Sequence, residues 1–302
     1  MSLPKITFGI VNCNRLFYLK SCLESLLAST SDYDNKEIII IDNYSDDKTE
    51  EYIKSLNNQK IRFFKIQNHG LLAKSRNLGI KEAKSDWIAF LDSDDLWYKD
   101  RLQILYNYVE KNNDYQVVST NELIVDKFNK KNKVWKYGPF RGNFYKNLLV
   151  FGNCISTSAS IVKRKYLADN KILFSENRDF CPYEDYDFWM RVAKKKAKFK
   201  FLNTVKGEHL FHKDSWGAKN RDLCKKSNIS ILKHHVFNSQ NFTNKKDELW
   251  SKVDTRVISD EIREMVYNRK YTKAFFKLIK LLGKYPFKSM NYFFLSAIRS
   301  IK

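Results

Sequence analysis

The fold is decided by residues 6–43, which read ITFGIVNCNRLFYLKSCLESLLASTSDYDNKEIIIIDN. An apolar run over residues 6–11 is followed by leucines at helical spacing, and a second apolar run covers residues 37–41. Strands that are apolar throughout and joined by a helix indicate βαβ units, whose parallel strands are buried on both faces. The stretch therefore predicts an α/β fold built on a mostly parallel sheet.

The same alternation of strands and helices continues beyond this stretch. Two helices and two strands are predicted next, over residues 46–56, 61–66, 71–83 and 87–91. The less regular middle predicts strands at 116–125, 133–137, 155–162 and 205–211, and a helix at 183–195. From about residue 222 the pattern indicates helices only. We therefore divide the chain into an α/β domain, residues 1–215, and a helical, basic C-terminal region, residues 216–302.

The composition is that of a globular protein with an unusual charge. The chain has 302 residues, of which 43 % are hydrophobic, so it can bury a core and is neither disordered nor fibrous. Its 55 Lys plus Arg against 34 Asp plus Glu give a formal net charge of +21. Such a charge is typical of proteins that bind nucleic acid, an anionic membrane or anionic substrates.

Several features predict a cytoplasmic protein. No apolar run reaches the roughly 18 residues that a transmembrane helix needs, and the first residues lack the layout of a signal peptide. The five cysteines are odd in number and scattered, without a C-x-x-C pair. This indicates neither a disulfide framework nor a zinc site, so we expect reduced thiols.

Acidic residues follow the fourth predicted strand, where chemistry is expected, because ligands of such sheets bind beyond the carboxyl ends of the strands. Asp92 and Asp94 flank Ser93, and in extended backbone their carboxylates point the same way. Two such carboxylates suit Mg²⁺ or Mn²⁺, which would keep coordination positions open for phosphate oxygens. Helix capping is the alternative, and we expect it for Asp95.

A second acidic pair, Glu184 and Asp185, opens the predicted helix over residues 183–195. An acid in the first turn of a helix is stabilised by the helix dipole, which is one explanation for the pair. The other is a general base, a carboxylate within hydrogen-bond reach of the proton that it removes. The residues alone leave both explanations open.

Five segments with these features follow one another in order, namely IVNCNR (10–15), IDNYS (41–45), AKSRNLG (73–79), FLDSDD (90–95) and YEDYDFW (183–189). Together they resemble the motifs of family 2 glycosyltransferases, which have the GT-A fold with its Rossmann-like sheet. The resemblance implies an inverting transfer of a sugar from a nucleotide-sugar, usually a UDP-sugar, to a hydroxyl of a glycan or lipid-linked glycan. Many members act on lipid-linked bacterial glycans, so cell-surface polysaccharide biosynthesis is expected.

The resemblance also implies which residues act on the acceptor. Asp185 would be the catalytic residue that deprotonates the acceptor hydroxyl, with Glu184 and Trp189 on the acceptor side. Inversion needs a single in-line displacement, so no covalent intermediate with the protein is required.

On the donor side, the resemblance implies that Asp94 and Asp92 hold Mn²⁺ or Mg²⁺. His212 lies where relatives often carry a His near a Ser, so it would contact the metal or the diphosphate; a packed or surface histidine is the alternative. The nucleotide-sugar would be bound by residues at the strand ends and on the helix after the third strand, namely Asn12, Asn14, Arg15, Asp42, Asn43, Arg76 and Asp92. Relatives often carry a second Asp at the position of Asn43, so a donor with a nucleotide other than uridine stays open.

The C-terminal segment from Arg263 onward is strongly basic, with ten Lys or Arg and one acid, Glu264. A predicted helix there places Tyr271, Phe275, Leu278 and Leu282 on one face and Lys273, Lys277, Lys280 and Lys284 on the other. This pattern is typical of an interfacial helix that lies peripherally on an anionic membrane, here its cytoplasmic face. An amphipathic helix packed on its own protein has the same pattern, so both readings are open.

Two other functions fit parts of the sequence. Charge and aromatic content suit a basic nucleic-acid-binding protein, but no zinc-finger, helix-turn-helix or ribonucleoprotein signature is present, so no nucleic-acid partner is expected. A metal-dependent nucleotidyltransferase also combines an α/β sheet with carboxylate-bound metal. It would more often have a Gly-rich phosphate loop after the first strand, whereas residues 12–15 contain no glycine.

Overall fold

The computed structural model describes residues 5–30, 36–127, 130–138, 142–212, 215–241, 245–286 and 289. Its strands are β1 (Ile6–Asn12), β2 (Lys36–Asp42), β3 (Ile61–Lys65), β4 (Trp87–Asp92), β5 (Leu96–Trp97), β6 (Val117–Asp126), β7 (Lys131–Trp135), β8 (Ser160–Lys163) and β9 (Phe199–Phe211). Its α-helices are α1 (Leu16–Thr30), α2 (Thr49–Ser55), α3 (Leu72–Glu82), α4 (Arg101–Lys111), α5 (Phe144–Phe151), α6 (Arg164–Asp169), α7 (Glu184–Lys194), α8 (Trp216–Lys219), α9 (Arg221–Lys233), α10 (Lys246–Tyr267) and α11 (Tyr271–Lys284). A 3₁₀ turn at Arg178–Phe180 precedes α7, and a π-helical turn at His234–Ser239 follows α9.

Across the described residues, nine strands form one mixed sheet in the order β3-β2-β1-β4-β8-β6-β9-β5, with β7 paired to β6. β1 lies parallel to β2 and β4, and β2 lies parallel to β3. β8 is antiparallel to β4 and β6, while β6 and β9 are parallel. The predicted α/β architecture is confirmed, and the carboxyl ends of β1, β2 and β4 open on the same edge of the sheet.

Helices cover both faces of the parallel strands. β1 is buried at all seven positions, as expected for a strand with helices on both sides. On one face, Leu19 and Leu23 of α1 pack into the main core cluster, and on the other Leu72 and Leu78 of α3 pack against β1 and β2. Leu19 and Leu23 are fully buried, and burial of a Leu side chain contributes about 1.5–3 kcal/mol of transfer free energy.

One predicted strand was placed too early in the sequence. The strand expected at 155–162 is present as β8, Ser160–Lys163. The residues before it form a turn, since the N–H of Ser160 donates to the carbonyl of Thr157 at 3.2 Å. The apolar pattern that suggested a strand arises because Ile155 and Ala159 lie in a loop but have buried side chains.

The expectation that Asp95 caps a helix was wrong. The next helix, α4, begins at Arg101 and is preceded by Asp100. Asp95 instead is fully buried, accepts the N–H of Leu210 at 3.2 Å and lies 3.0 Å from His209 Nδ1. Burial raises the pKa of Asp95, and the charge of Asp95 raises the pKa of His209 to about 10. The pair ties the loop after β4 to β9.

The described chain divides into two compact units. One comprises Met1–Gly142 and Cys154–Asn228 and contains every strand of the sheet. The other comprises Asn143–Asn153 and Ile229–Lys302, and in it α10 packs against α5 and α11. All five cysteines are free thiols. Within the described ranges, none of the helices is both long and apolar enough to cross a membrane.

Helix α11 packs against α10. Ala274 and Leu281 are buried against α10. Lys277 and Lys284 form ion pairs with two acids of α10, Glu261 and Asp254. The prediction of one free basic face was therefore wrong for these two lysines, whose chains reach back to α10. The rest of the basic segment, residues 287–288 and 290–302, lies outside the described residues.

Gly207 lets β9 approach β5 closely, directly beside the loop that carries Asp95. A Cβ at this position would lie 2.7 Å from the carbonyl oxygen of Leu96 and 2.7 Å from Arg101 Nη1. We expect Gly207→Ala to cost about 1–3 kcal/mol in the free energy of unfolding, since backbone must shift to admit the methyl group. Thermal unfolding followed by circular dichroism measures this. Gly9→Ala is the matched control, because its Cβ would meet ordinary contacts of 3.8 Å or more; equal melting temperatures for the two variants would contradict the prediction.

Candidate active site

The turn after β2 is held by a buried network around Asp42. Asn12 Nδ2 donates to Asp42 Oδ1 at 2.9 Å. Ser45 donates to the same carboxylate through its N–H at 2.8 Å and its hydroxyl at 2.6 Å. Asp42 is only 1 % exposed, so its side chain shapes the rim of the site from within the protein. The Oδ1 atom of Asn12 is buried and has no hydrogen-bond partner in the described part of the chain.

The loops after β1, β2 and β3 are joined by two asparagines that the sequence singled out. Asn14 has a left-handed backbone (φ 50°), its N–H donates to Ser45 Oγ at 2.8 Å, and its Oδ1 accepts the N–H of Asp46 at 2.9 Å. Asn43 Oδ1 accepts the N–H of Asn68 from the loop after β3 at 2.9 Å. Asn14 is exposed and Asn43 half-buried, so together they form a polar rim along three strand ends.

Asp94 is held by two cationic or hydrogen-bonding neighbours from distant parts of the chain. Arg15 Nη1 lies 2.5 Å, and His212 Nε2 3.1 Å, from Asp94 Oδ2. The His212 ring is buried and stacks on Tyr18, with ring centroids 4.8 Å apart and planes inclined by 27°. Burial raises the pKa of Asp94, but the His212 hydrogen bond and the Arg15 charge outweigh it, so the pKa lies below its usual value. Asp94 is thus ionised at neutral pH.

The donor set around Asp94 fits a divalent cation in part. Asp92, Asp94 and His212 supply carboxylate and imidazole atoms, which Mg²⁺ and Mn²⁺ accept. Yet no three or more His, Cys, Asp or Glu side chains of the described residues are grouped as a metal site. A cation here would therefore take most of its remaining ligands from water or from a bound diphosphate.

Arg76 joins the acid at the end of β4 to the acid pair at the start of α7. Its guanidinium is 5 % exposed; Nη2 lies 2.9 Å from Asp92 Oδ1 and Nη1 lies 3.0 Å from Glu184 Oε1. Burial lowers the pKa of Arg76, but the charges of Asp92 and Glu184 outweigh it and raise the pKa. Glu184 is 1 % exposed, and burial raises its pKa to about 7. The structure therefore brings these three sequence candidates together.

Asp185 stands at the first turn of α7, next to Glu184. Its Oδ1 accepts the N–H of Tyr186 at 2.8 Å, and the hydroxyl of Thr157 donates to Oδ2 at 3.5 Å. Burial raises the pKa of Asp185, although the nearby Arg76 charge opposes this. Such a carboxylate has a higher proton affinity than an exposed one, a property suited to a general base.

Trp189, which the sequence placed on the acceptor side, lies in the core and not at the protein surface. Its side chain is fully buried, and its indole Nε1 donates to Thr157 Oγ1 at 3.3 Å. The same hydroxyl oxygen lies 3.5 Å from Asp185 Oδ2, so Thr157 contacts both side chains. Trp189 is therefore linked to Asp185 through the Thr157 hydroxyl.

Sequence reasoning missed Thr157 and Ser158, which touch both sides of the site. Ser158 Oγ accepts the N–H of Asp92 at 3.2 Å, while Thr157 contacts Asp185. The run STSAS at residues 156–160 was the available signal. Short hydroxyl side chains often satisfy nearby backbone and side-chain groups in turns, so a cluster of them beside a strand marks a turn with such partners.

Comparisons with known proteins show which family this chain is similar to. Residues 7–169 match the family described as Glycosyl transferase family 2. An uncharacterized glycosyltransferase of Rickettsia felis is 34 % identical over 197 residues, which cover 64 % of this chain and 31 % of that protein. This chain thus spans about a third of that relative's length. The UDP-Glc:alpha-D-GlcNAc-diphosphoundecaprenol beta-1,3-glucosyltransferase WfaP of Escherichia coli is 29 % identical over 240 residues, 78 % of this chain and 90 % of WfaP.

Solved structures show the same fold. The crystal structure of S. aureus TarS 1-349 in complex with UDP-GlcNAc superposes with a TM-score of 0.62 at 17 % identity, covering 93 % of this chain and 80 % of that one. This likeness confirms the GT-A fold that the motifs predict. The family match covers more than half of the chain and includes the strand ends that carry Asn12, Asp42 and Asp92 as well as helix α3 with Arg76. By its sequence and by its fold, the chain belongs to glycosyl transferase family 2.

Proposed function

We propose that this chain is an inverting glycosyltransferase that transfers a sugar from a nucleotide-sugar, most simply a UDP-sugar, to a hydroxyl of a glycan or lipid-linked glycan. The observation that carries the proposal is the meeting of two acidic groups at one sheet edge: Arg76 bonds both Asp92, at the end of β4, and Glu184, beside Asp185. In a family 2 chain, this arrangement supports a donor on the Asp92 side and an acceptor on the Asp185 side.

Asp185 acts as the general base in this proposal. The acceptor hydroxyl oxygen attacks the anomeric carbon of the donor sugar, the bond from that carbon to the diphosphate breaks, and the hydroxyl proton passes to an Asp185 oxygen. The Tyr186 N–H and the Thr157 hydroxyl orient the carboxylate. One displacement inverts the anomeric carbon and requires no protein nucleophile.

On the donor side, Asp94 and Asp92 would hold Mn²⁺ or Mg²⁺, with His212 beside Asp94. When bound, such an ion would offset the negative charge that develops on the leaving diphosphate. Arg15 contacts Asp94 directly, so its positive charge would help to offset the negative charge of the leaving diphosphate. Asn12, Asn14, Asp42 and Asn43 form or support the rim on which the nucleotide would lie.

The donor preference is tested with a panel of nucleotide-sugars. We expect thermal-shift screening with Mn²⁺ to show a raised melting temperature for UDP-sugars, because a ligand that binds only the folded state stabilises it. UDP release in the presence of a lipid-linked GlcNAc acceptor then reports transfer, since WfaP is named for such an acceptor. Stabilisation by GDP- or dTDP-sugars but not by UDP-sugars would show that the donor carries a nucleotide other than uridine.

We also propose that the protein works at the cytoplasmic face of an anionic membrane, held through α11. An apolar set on this helix is 38–61 % exposed, namely Tyr271, Phe275, Phe276, Ile279 and Leu282. Lys273 and Lys280 are exposed and lie three residues before and four residues after Phe276, so they share its side of the helix. Exposed aromatics beside lysines suit an interfacial helix on anionic lipid.

Vesicle binding tests the role of Lys273 and Lys280 on the exposed side of α11. We expect Lys273→Gln/Lys280→Gln to weaken partitioning onto phosphatidylglycerol vesicles roughly 30-fold at low salt, since each Lys contributes about 1 kcal/mol. Lys165→Gln/Lys171→Gln, which removes two exposed charges from the sheet unit, is the matched control. Co-sedimentation measures both. Equal loss in the two double variants would indicate attraction by net charge alone, and no binding by the wild type would exclude the membrane surface.

A further inference from the structure

Half-buried Arg62 and buried Arg76 each bridge a pair of acids, but the two pairs lie in different parts of the protein. Arg62 Nη1 lies 2.6 Å from Glu37 and Nη2 lies 2.7 Å from Glu82, at the opposite end of the strands from the site. Arg76 makes the same two-armed contact with Asp92 and Glu184. The first fork ties a strand to a helix, whereas the second ties together the two halves of the candidate active site.

The Arg76 fork joins three elements. Arg76 is on α3, Asp92 ends β4, and Glu184 opens α7. The guanidinium carbon also lies 5.3 Å from the ring centroid of Phe174, which packs on the core cluster beneath α7. Each terminal nitrogen is thereby paired with one carboxylate, and the ring lies within cation–π distance of the guanidinium. The side chain has little freedom to turn toward a ligand.

Burial makes this commitment costly to break. A buried charge whose partner is removed loses its compensation, so each acid holds the arginine in place and the arginine holds both acids. Because Asp185 directly follows Glu184, the fork fixes the start of α7 relative to the end of β4. Glu184 Oε2 has no hydrogen-bond partner in the described residues, and Arg76 forms the ion pair with the other oxygen of this carboxylate.

We infer that Arg76 is a positioning residue: it sets the separation between the donor-side carboxylate Asp92 and the base Asp185 and does not itself bind the diphosphate. The inference rests on the proposed function for its kinetic consequence. A lysine at this position keeps the charge but has one ammonium group in place of the two-armed fork. It can therefore hold one acid in place while the other is released.

The test compares Arg76→Lys with Arg62→Lys, its matched control. We expect Arg76→Lys to lower kcat about 100-fold, as expected for a displacement near 1 Å at reacting groups, with the Kd for UDP unchanged. Glu184→Gln, which leaves Arg76 paired with Asp92, is expected to lower kcat in the same way. Arg62→Lys should leave kcat and Kd as in the wild type, even if its melting temperature falls.

Hydrogen exchange provides a readout that does not depend on activity. The first turn of α7 should exchange faster in Arg76→Lys than in the wild type or in Arg62→Lys. A raised Kd for UDP with unchanged exchange would overturn the inference, because it would show that the guanidinium binds the donor. An inactive wild type would contradict the proposed function, while faster exchange confined to Arg76→Lys would still support the positioning role.

Discussion

Replacing Asp185 by Asn is expected to reduce sugar transfer by about 10²–10⁴-fold, the contribution typical of a positioned general base. The amide keeps the size of the side chain, and its single oxygen can still accept from the Tyr186 N–H, but its NH₂ group replaces the oxygen that accepts from Thr157, and it cannot take a proton at neutral pH. Donor binding should persist, because the Asp92 and Asp94 carboxylates are untouched. UDP release and UDP affinity, measured in parallel, separate the two effects.

The pH profile gives an independent check on the same residue. Burial raises the pKa of Asp185 above its usual value, and a base must be deprotonated to act. Activity is therefore expected to fall as pH decreases through this raised pKa, at a higher pH than for an exposed Asp. Asp169→Asn, at an exposed acid that pairs with Lys165, serves as the control and should retain full activity. Full activity in Asp185→Asn would refute the assignment of the base.

Asp94→Ala is the second variant for which we expect a large loss. Removing this carboxylate frees Arg15 and His212 and deletes the main proposed metal ligand, so transfer should fall about 100-fold or more. UDP affinity should fall with it, in contrast to Asp185→Asn. Titration calorimetry with UDP, and transfer assays with and without Mn²⁺, measure the two losses.

Chelation tests the metal separately from the residue. Excess EDTA should lower wild-type transfer to the level of Asp94→Ala, and added Mn²⁺ should restore the wild type alone. Asp100→Ala is the matched control, since Asp100 is exposed and pairs with Lys206 outside the site. Undiminished wild-type activity in excess chelator would show that the carboxylates act without a divalent ion.

The fold was accessible from the sequence because its signals are local. β1, α1 and β2 are specified by apolar runs and by leucines at helical spacing, and helices on both faces leave such strands no polar positions. The strand ends then place Asn12, Asp42 and Asp92 at one edge without further information. Their presence at this edge is confirmed, while their roles with a ligand stay predictions.

Contacts between distant parts of the chain could not be read in the same way. The Arg76–Glu184 pair joins residues 108 positions apart, and Asp95 meets the backbone of Leu210 across 115. Local capping preferences favoured a simpler role for Asp95, but burial beside His209 prevailed. In α11 the helical period identifies stripes of residues, but only packing against α10 decides which lysines are paired and which are exposed.

The most direct test of the central claim is the binding of UDP by titration calorimetry, with Mn²⁺ present, to the wild type, Asp185→Asn and Asp94→Ala. Its advantage is that it requires no knowledge of the acceptor. We predict saturable one-to-one binding to the wild type and Asp185→Asn, and much weaker binding to Asp94→Ala. Absence of binding by UDP and by other nucleoside diphosphates, together with salt-dependent binding of random oligonucleotides, would contradict the account and favour a nucleic-acid-binding protein.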